Sequence, residues 1–326
     1  MAAQCGGGEK PFHIVSPLLE SLSLSRTAGT QVYMKLENVQ PTGSFKIRGI
    51  GHLCQEVGML HRCVASGHHG DVWLRPSSDS FPPPRLPGKA AGTLFAPQGG
   101  MRAWPQLMWP GSWGCQPRWW CPAAPAPVLS AGWRTWERQW RSTGRQGHAS
   151  LVLELKDTLD VKPDAIVLAV GGGGLLAGVV AGLQQVGWLD VPIIAAETWG
   201  AHSFHAALKA GHLVTLPDIT SVAKCLGAKT VSARALQCAQ EIQVISEVVE
   251  DAEAVRSVER FLDDERMLVQ PACGAALALL YSGRLQQLQR EGRLGTPLGC
   301  VVLVVCGGSS MTAALLRDLK SQLGLE

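Results

Sequence analysis

Charged residues are scarce in this sequence: Asp, Glu, Lys and Arg make up 17% of its 326 residues, whereas apolar residues make up 46%. This balance excludes a chain that is disordered throughout, because disorder requires high charge and low hydrophobicity. It also leaves enough apolar material for two domains with substantial cores.

Long apolar runs are absent as well. No stretch reaches the roughly 18 uncharged apolar residues that are needed to cross a bilayer. Residues 1–10 have no apolar segment of the signal-peptide type. We therefore expect a cytoplasmic protein that does not bind membranes.

The ten cysteines, scattered from Cys5 to Cys306, lack both the paired spacing of a zinc site and the pattern of a disulfide framework. The net charge of +3 is unevenly distributed, because residues 61–146 hold ten Lys and Arg against three Asp and Glu. That segment has a net charge of +7, and the rest of the chain has −4. Its arginines are spread out rather than clustered on one helical face, so nucleic-acid binding is not expected.

Residues 61–146 also differ in composition, with nine of the eleven tryptophans and twelve of the twenty prolines. Neither a helical nor a strand period is found there, and prolines such as those at 82–84 exclude a central strand. Two interpretations stay open. The segment is a Pro-rich interaction region, or it comes from an altered exon or reading frame and was never selected to fold. We favour the second.

From Ala165 onward, short β-branched runs alternate with longer helical patterns, which predicts an α/β protein with an open sheet flanked by helices. Strands are predicted at 165–170, 191–196 and 300–305, and helices at 150–159, 252–265, 272–291 and 311–323.

Four consecutive glycines, Gly171, Gly172, Gly173 and Gly174, separate the first of these strands from an apolar helical pattern. Backbone N–H groups at the start of a helix favour an anionic phosphate, and glycines let the backbone approach it closely. The spacing matches neither the dinucleotide fingerprint nor the Walker A loop. A tight turn without any ligand is the alternative.

A second candidate site is the segment 41–49, in which Lys46 lies between Phe45 and a predicted helix start. A lysine there can form a Schiff base if its surroundings lower the pKa of the ammonium. Taken alone, a lysine in such a segment is more often a solvated surface lysine.

Together with Cys306-Gly307-Gly308, these segments resemble the fold-type II pyridoxal-phosphate enzymes, and in particular the serine dehydratase and serine dehydratase-like family. The resemblance covers residues 11–57 and 147–326, whereas residues 58–146 do not match. It implies a large cofactor-binding domain, together with the start of the small domain, formed by 1–57 and 147–326. An open twisted sheet like that of tryptophan synthase β is expected there. Residues 58–146 would replace most of the small domain with an irregular segment.

The resemblance also implies roles for individual residues. Lys46 would bind pyridoxal 5'-phosphate as a Schiff base and accept the substrate Cα proton, and Phe45 would pack on the pyridine ring. Gly171, Gly172, Gly173 and Gly174 would bind the cofactor phosphate, and Cys306 would face the pyridine nitrogen. Glu197, Ala201 and Leu226 would surround a monovalent cation such as K⁺. For Glu197, a solvated or helix-capping carboxylate is the alternative.

The implied reaction is β-elimination of L-serine to pyruvate and ammonia, or of L-threonine to 2-oxobutanoate, in amino-acid catabolism and gluconeogenesis by a homodimer. One family feature is missing. The run Ser-Ser-x-Gly-Asn-x-Gly, which binds the substrate carboxylate, is not found. The nearest sequence, at 65–70, keeps a Ser and two glycines but has His68 where Asn would fall, and we interpret this likeness as chance. A pyridoxal-phosphate-binding isoform or gene-model variant with impaired catalysis, and an interaction protein, therefore remain alternatives.

Overall fold

The computed structural model describes residues 10–56 and 144–325. These residues belong to one compact unit, apart from residues 54–56, which are grouped with a second unit. Most of the segment 58–146 therefore lies outside the described residues, and its predicted boundaries stay a prediction.

The described residues form a six-stranded sheet in the order β1-β2-β6-β3-β4-β5. Only β1 runs antiparallel to its neighbour; the other strand pairs are parallel. The strands are β1 (Leu18–Glu20), β2 (Gln31–Leu36), β3 (Ala165–Ala169), β4 (Ile193–Thr198), β5 (Val244–Val249) and β6 (Cys300–Val305). Although β6 is the last of these strands in sequence order, it lies between β2 and β3.

The central strands are buried at every residue. β3 and β6 are entirely apolar, β4 is apolar except for Glu197 and Thr198, and all residues of these three strands are buried. Both faces of a parallel sheet have to be covered in this way, which is why its strands are continuous apolar runs instead of alternating patterns. The edge strand β5 is only partly buried.

Helices cover the sheet. They are α1 (Leu22–Ala28), α2 (Lys46–Glu56), α3 (144–158), α4 (Gly174–Val186), α5 (Ser203–Ala210), α6 (Ala233–Glu241), α7 (Asp251–Glu265), α8 (Pro271–Tyr281), α9 (Arg284–Arg290) and α10 (Ala313–Gln322), with 3₁₀ turns at Glu37–Val39 and Lys224–Leu226. Side-chain oxygens of Ser21, Ser232 and Thr312 cap α1, α6 and α10. No helix in the described ranges is long and apolar enough to cross a membrane.

Helix α8 forms the centre of the core. All of its residues from Pro271 to Leu280 are buried, and it packs against α7 and strands β3 to β6. The approach to α7 is close: a Cβ on Gly274 would lie 2.1 Å from the carbonyl oxygen of Ala254. Glycine is therefore required at this crossing.

The predicted α/β sheet flanked by helices is confirmed. The strands predicted at 165–170 and 300–305 match β3 and β6 to within one residue, whereas β4 is displaced to Ile193–Thr198. The single helix predicted at 272–291 is wrong. The chain breaks into α8 and α9 at Gly283, whose φ of 73° belongs to the left-handed region that glycine tolerates.

Candidate active site

The predicted site residues follow the carboxyl ends of neighbouring parallel strands. Lys46 comes after β2, the four glycines after β3, and Cys306 directly after β6. The strand order reverses here, because the last strand, β6, returns to lie between β2 and β3. Such a switch in strand order opens a crevice at the carboxyl edge, where α/β proteins bind their ligands.

The segment preceding Lys46 is fixed to the end of β6. The Phe45 N–H donates to the carbonyl oxygen of Cys306 at 3.1 Å, and the Gly308 N–H donates to the carbonyl oxygen of Gly43 at 3.0 Å. Ser44 and Gly307 form an antiparallel bridge between these bonds. A short ladder thus holds the start of α2 beside Cys306.

Lys46 is the first residue of α2. Its Nζ lies 5.5 Å from the centroid of the Phe45 ring. Among the described residues, Nζ has no hydrogen-bond or ion-pair partner, and Ser44 Oγ is buried without one. The amine is therefore available to a ligand in the crevice.

Cys306 is buried beside a second thiol. The Sγ atoms of Cys306 and Cys273 are 3.0 Å apart, and Cys273 Sγ donates to the carbonyl oxygen of Gly307 at 3.1 Å. The contact with Cys273 and burial together raise the pKa of Cys306 well above its ordinary value, against the opposing charge of Lys46. Cys306 is therefore a neutral thiol.

The four glycines connect β3 to α4. None of the N–H groups from Gly171 to Leu176 donates a hydrogen bond to another described residue. A Cβ on Gly174 would meet open space, whereas one on Gly173 would lie 2.4 Å from Ala235 Cβ. Unpaired amides, open space and the positive end of α4 together favour an anion.

This arrangement fits pyridoxal phosphate. The unpaired lysine amine suits the aldehyde of the cofactor, and the free amides at the helix start suit its phosphate. The neutral thiol suits its pyridine nitrogen.

Glu197, Ala201 and Leu226 are all buried. Both Glu197 carboxylate oxygens accept backbone bonds from the first turn of α5, from Phe204 at 2.9 Å and His205 at 2.7 Å. Burial raises the pKa of Glu197 to about 8, although these bonds oppose the shift. The helix-capping alternative thus describes the geometry of Glu197.

Leu226 lies beside the glycine loop, since a Cβ on Gly171 would be 3.1 Å from Leu226 Cα. In the residues that the structure describes, no three His, Cys, Asp or Glu side chains group as metal ligands. A cation at this position would have main-chain oxygens and the Glu197 carboxylate as its ligands, and its assignment stays a prediction.

Two buried groups next to Lys46 had no role predicted from the sequence. His148 is buried with its ring centroid 5.3 Å from that of Phe45. Burial, with Arg48 and Lys46 nearby, lowers its pKa to about 3, so the imidazole is neutral. Arg48 is fully buried among charged partners. Their partners are distant in sequence, and no local pattern could have revealed them.

Residues 130–313 match the family model described as pyridoxal-phosphate dependent enzyme. The chain belongs to this family. The matched stretch includes the four glycines and Cys306, while Lys46 lies before it.

Curated relatives extend the similarity to nearly the full length. The chain is 52% identical to a serine dehydratase-like protein of Rattus norvegicus, over 99% of this chain and 98% of the relative. It is 47% identical to the L-serine dehydratase/L-threonine deaminase of Homo sapiens, over 97% of each. A fungal L-serine ammonia-lyase structure from Rhizomucor miehei is 28% identical, covering 96% of this chain and 99% of that one, with a TM-score of 0.66.

Proposed function

We propose that this protein is a pyridoxal-phosphate-dependent ammonia-lyase that converts L-serine to pyruvate and ammonia, and L-threonine to 2-oxobutanoate and ammonia. The observation that supports this most strongly is the ladder that joins the start of α2 to the end of β6, because it places Lys46 beside Cys306. The names of the relatives supply the substrates.

Each residue has a distinct task in this proposal. The Lys46 amine binds the cofactor covalently and, once released, accepts the proton from substrate Cα. The amides of Gly171 to Gly174 bind the phosphate and fix the cofactor in place. When bound, pyridoxal phosphate delocalises the electron pair left at Cα. Phe45 packs against its ring.

Cys306 would face the ring nitrogen of the cofactor and so determine how strongly the ring withdraws electrons. A neutral thiol cannot keep a pyridine nitrogen protonated as a carboxylate would. The resulting milder electron withdrawal suits loss of a β-hydroxyl better than transamination.

A monovalent cation such as K⁺ is proposed beside the glycine loop, bound by Glu197 with Ala201 and Leu226. The buried carboxylate and the contact between Leu226 and Gly171 support this assignment. We further propose a cytoplasmic homodimer that acts in amino-acid catabolism and gluconeogenesis, on the basis of the family resemblance.

The sequence supports a second candidate, a protein that binds the cofactor without turnover. The family's carboxylate-binding run is not found in the sequence, and the segment 65–70 nearest to it has His68 where Asn would fall. Losing the orientation of a reacting group costs many powers of ten in rate. These residues lie outside the described ranges.

Purified protein mixed with pyridoxal phosphate tests the proposal. A visible absorption band should appear, and borohydride reduction followed by peptide mass spectrometry should locate the cofactor on Lys46. The band should be lost in Lys46→Ala and kept in the control Lys156→Ala, whose ammonium lies over the Trp188 ring. Absence of a band in the unmodified protein rejects both candidates.

Turnover separates the two candidates. Pyruvate from L-serine and 2-oxobutanoate from L-threonine are measured with a coupled dehydrogenase. Product formation that requires Lys46 supports the lyase. A band without product supports the binding protein.

A further inference from the structure

Arg48 lies two residues after Lys46 and is completely shielded from solvent. Its guanidinium donates hydrogen bonds to two carboxylates. Nε and Nη2 donate to Glu37 at 2.8 and 2.7 Å, and Nη1 and Nη2 donate to Glu154 at 2.6 and 2.8 Å. Ser150 Oγ and Ser16 Oγ accept further bonds at 2.8 and 3.2 Å. Every donor of the guanidinium is thus used.

The partners belong to separate elements of the fold. Glu37 begins the 3₁₀ turn after β2, and Glu154 lies in α3. Lys35, in β2, adds a second cation, whose Nζ donates to Glu154 at 2.6 Å. Two positive and two negative side chains therefore form a balanced cluster that joins the first turn of α2 to β2 and α3.

Stability alone does not account for such a cluster. Removing four charges from water is costly, and their mutual attraction often only offsets that cost. Apolar side chains of similar volume commonly stabilise a fold as well or better. A buried cluster of this kind is thus weak evidence for extra stability, and the defined geometry of its hydrogen bonds is the property to explain.

That geometry acts on Lys46. Successive helical residues are rotated by about 100°, so Lys46 and Arg48 point to nearly opposite sides of α2. Arg48 enters the cluster, whereas the Lys46 ammonium lies close enough to Cys306 and Cys225 to oppose the rise in the pKa of both thiols. The Arg48 N–H also donates to the carbonyl oxygen of Phe45 at 3.0 Å, which ties the same turn to the ladder at Cys306.

We propose that Arg48 is a positioning residue that, through Glu37 and Glu154, fixes the first turn of α2 so that Lys46 meets the cofactor in one orientation. The proposal rests on the proposed function of Lys46. The planar guanidinium is essential to this role. A lysine at position 48 would keep the positive charge but could not donate a pair of hydrogen bonds to each of the two carboxylates.

The first test compares Arg48→Lys with Arg284→Lys. Arg284 is a matched control, because it also bridges two carboxylates, Glu247 and Glu291, but contacts none of the site residues. In Arg48→Lys, the dissociation constant for pyridoxal phosphate should rise at least about tenfold, a loss of about 1.4 kcal/mol in binding free energy, because the Lys46 amine would meet the cofactor aldehyde out of position. Amides of α2 in cofactor-free protein should exchange hydrogen faster. Arg284→Lys should change neither.

The second test separates positioning from folding. The double variant Arg48→Met/Glu37→Leu removes one charge of each sign and leaves Lys35 paired with Glu154 at 2.6 Å, so the remaining cluster stays balanced. It should melt close to the unmodified protein yet bind the cofactor at least about tenfold more weakly.

The outcomes differ for the two proposals. If the unmodified protein binds no cofactor, the proposed function fails and this proposal fails with it. If the unmodified protein binds cofactor and the folded double variant binds it equally well, only the positioning role is rejected. Should Arg48→Lys not fold, the double variant alone decides.

Discussion

The backbone N–H of Phe45 donates to the carbonyl oxygen of Cys306, although 261 positions separate the two residues along the chain. The bond places the residue before the candidate catalytic lysine in direct contact with the end of a central strand. Changes at this junction should thus affect cofactor binding as well as stability.

The glycine at the junction gives the first prediction. A Cβ on Gly307 would lie 2.7 Å from Ser44 Cβ, so Gly307→Ala should push the two segments apart. We expect a loss of about 1–3 kcal/mol in the free energy of unfolding, as for overpacking elsewhere, and weaker cofactor binding. Thermal melting and cofactor titration measure the two effects. Gly295→Ala is the control, because its Cβ would meet nothing within 4 Å; equal behaviour of both variants would contradict the prediction.

The glycine loop gives the second prediction. Because a Cβ on Gly174 would enter open space, Gly174→Ala should leave cofactor-free protein as stable as before, yet weaken binding if the phosphate occupies that space. Gly173→Ala should instead destabilise the cofactor-free protein, since φ is 84° and Ala235 is in the way. Denaturation and cofactor titration distinguish the two. Unchanged affinity in Gly174→Ala would place the phosphate elsewhere.

Glu197 gives a prediction about pH. Its pKa rises from 4.5 to about 8 on folding, so the folded state binds the proton more tightly than the unfolded state. The resulting stabilisation is complete below pH 4.5 and is lost as pH rises to about 8. Glu197→Gln should flatten this decline in urea-denaturation experiments on cofactor-free protein at several pH values.

The same measurement tests the proposed cation. A bound K⁺ favours the carboxylate and should reduce the loss of stability at high pH. Tetramethylammonium chloride at equal ionic strength is the control, since its cation is much larger than K⁺ and its methyl groups prevent coordination by oxygen atoms. Identical profiles in the two salts would remove the cation assignment.

His148 gives a prediction of opposite sign. Burial lowers its pKa from 6.5 to about 3, so the unfolded state binds the proton more tightly. Stability from this residue is present above pH 6.5 and is lost as pH falls toward 3. His148→Gln should reduce the slope of the free energy of unfolding against pH between pH 3 and 6.5. An unchanged slope would mean that the buried imidazole does not titrate as its surroundings indicate.

The site residues recognised from the sequence share a local signal. Each follows a predicted or actual strand: Gly171 to Gly174 after β3, and Cys306 after β6. No strand was predicted before Lys46, because Lys35 and Gln31 interrupt the apolar residues of β2. Its recognition depended on the short run around Phe45.

The features that the sequence did not reveal depend on contacts between residues that are far apart in the chain. Arg48 and Glu154 lie 106 positions apart, so their pairing leaves no periodic pattern in either segment. The break at Gly283 was missed because the apolar pattern continues on both sides, with Leu280 and Leu285 buried. The left-handed φ there becomes visible only in three dimensions.

The position of β6 also bears on how the protein is made. β2 and β3 never pair with each other, because β6 occupies the space between them. A chain emerging from the ribosome consequently cannot close its sheet, or bring Cys306 to Lys46, until residue 305 has been synthesised. Until then, strand edges and apolar faces stay exposed, the condition under which nascent chains aggregate or require chaperones.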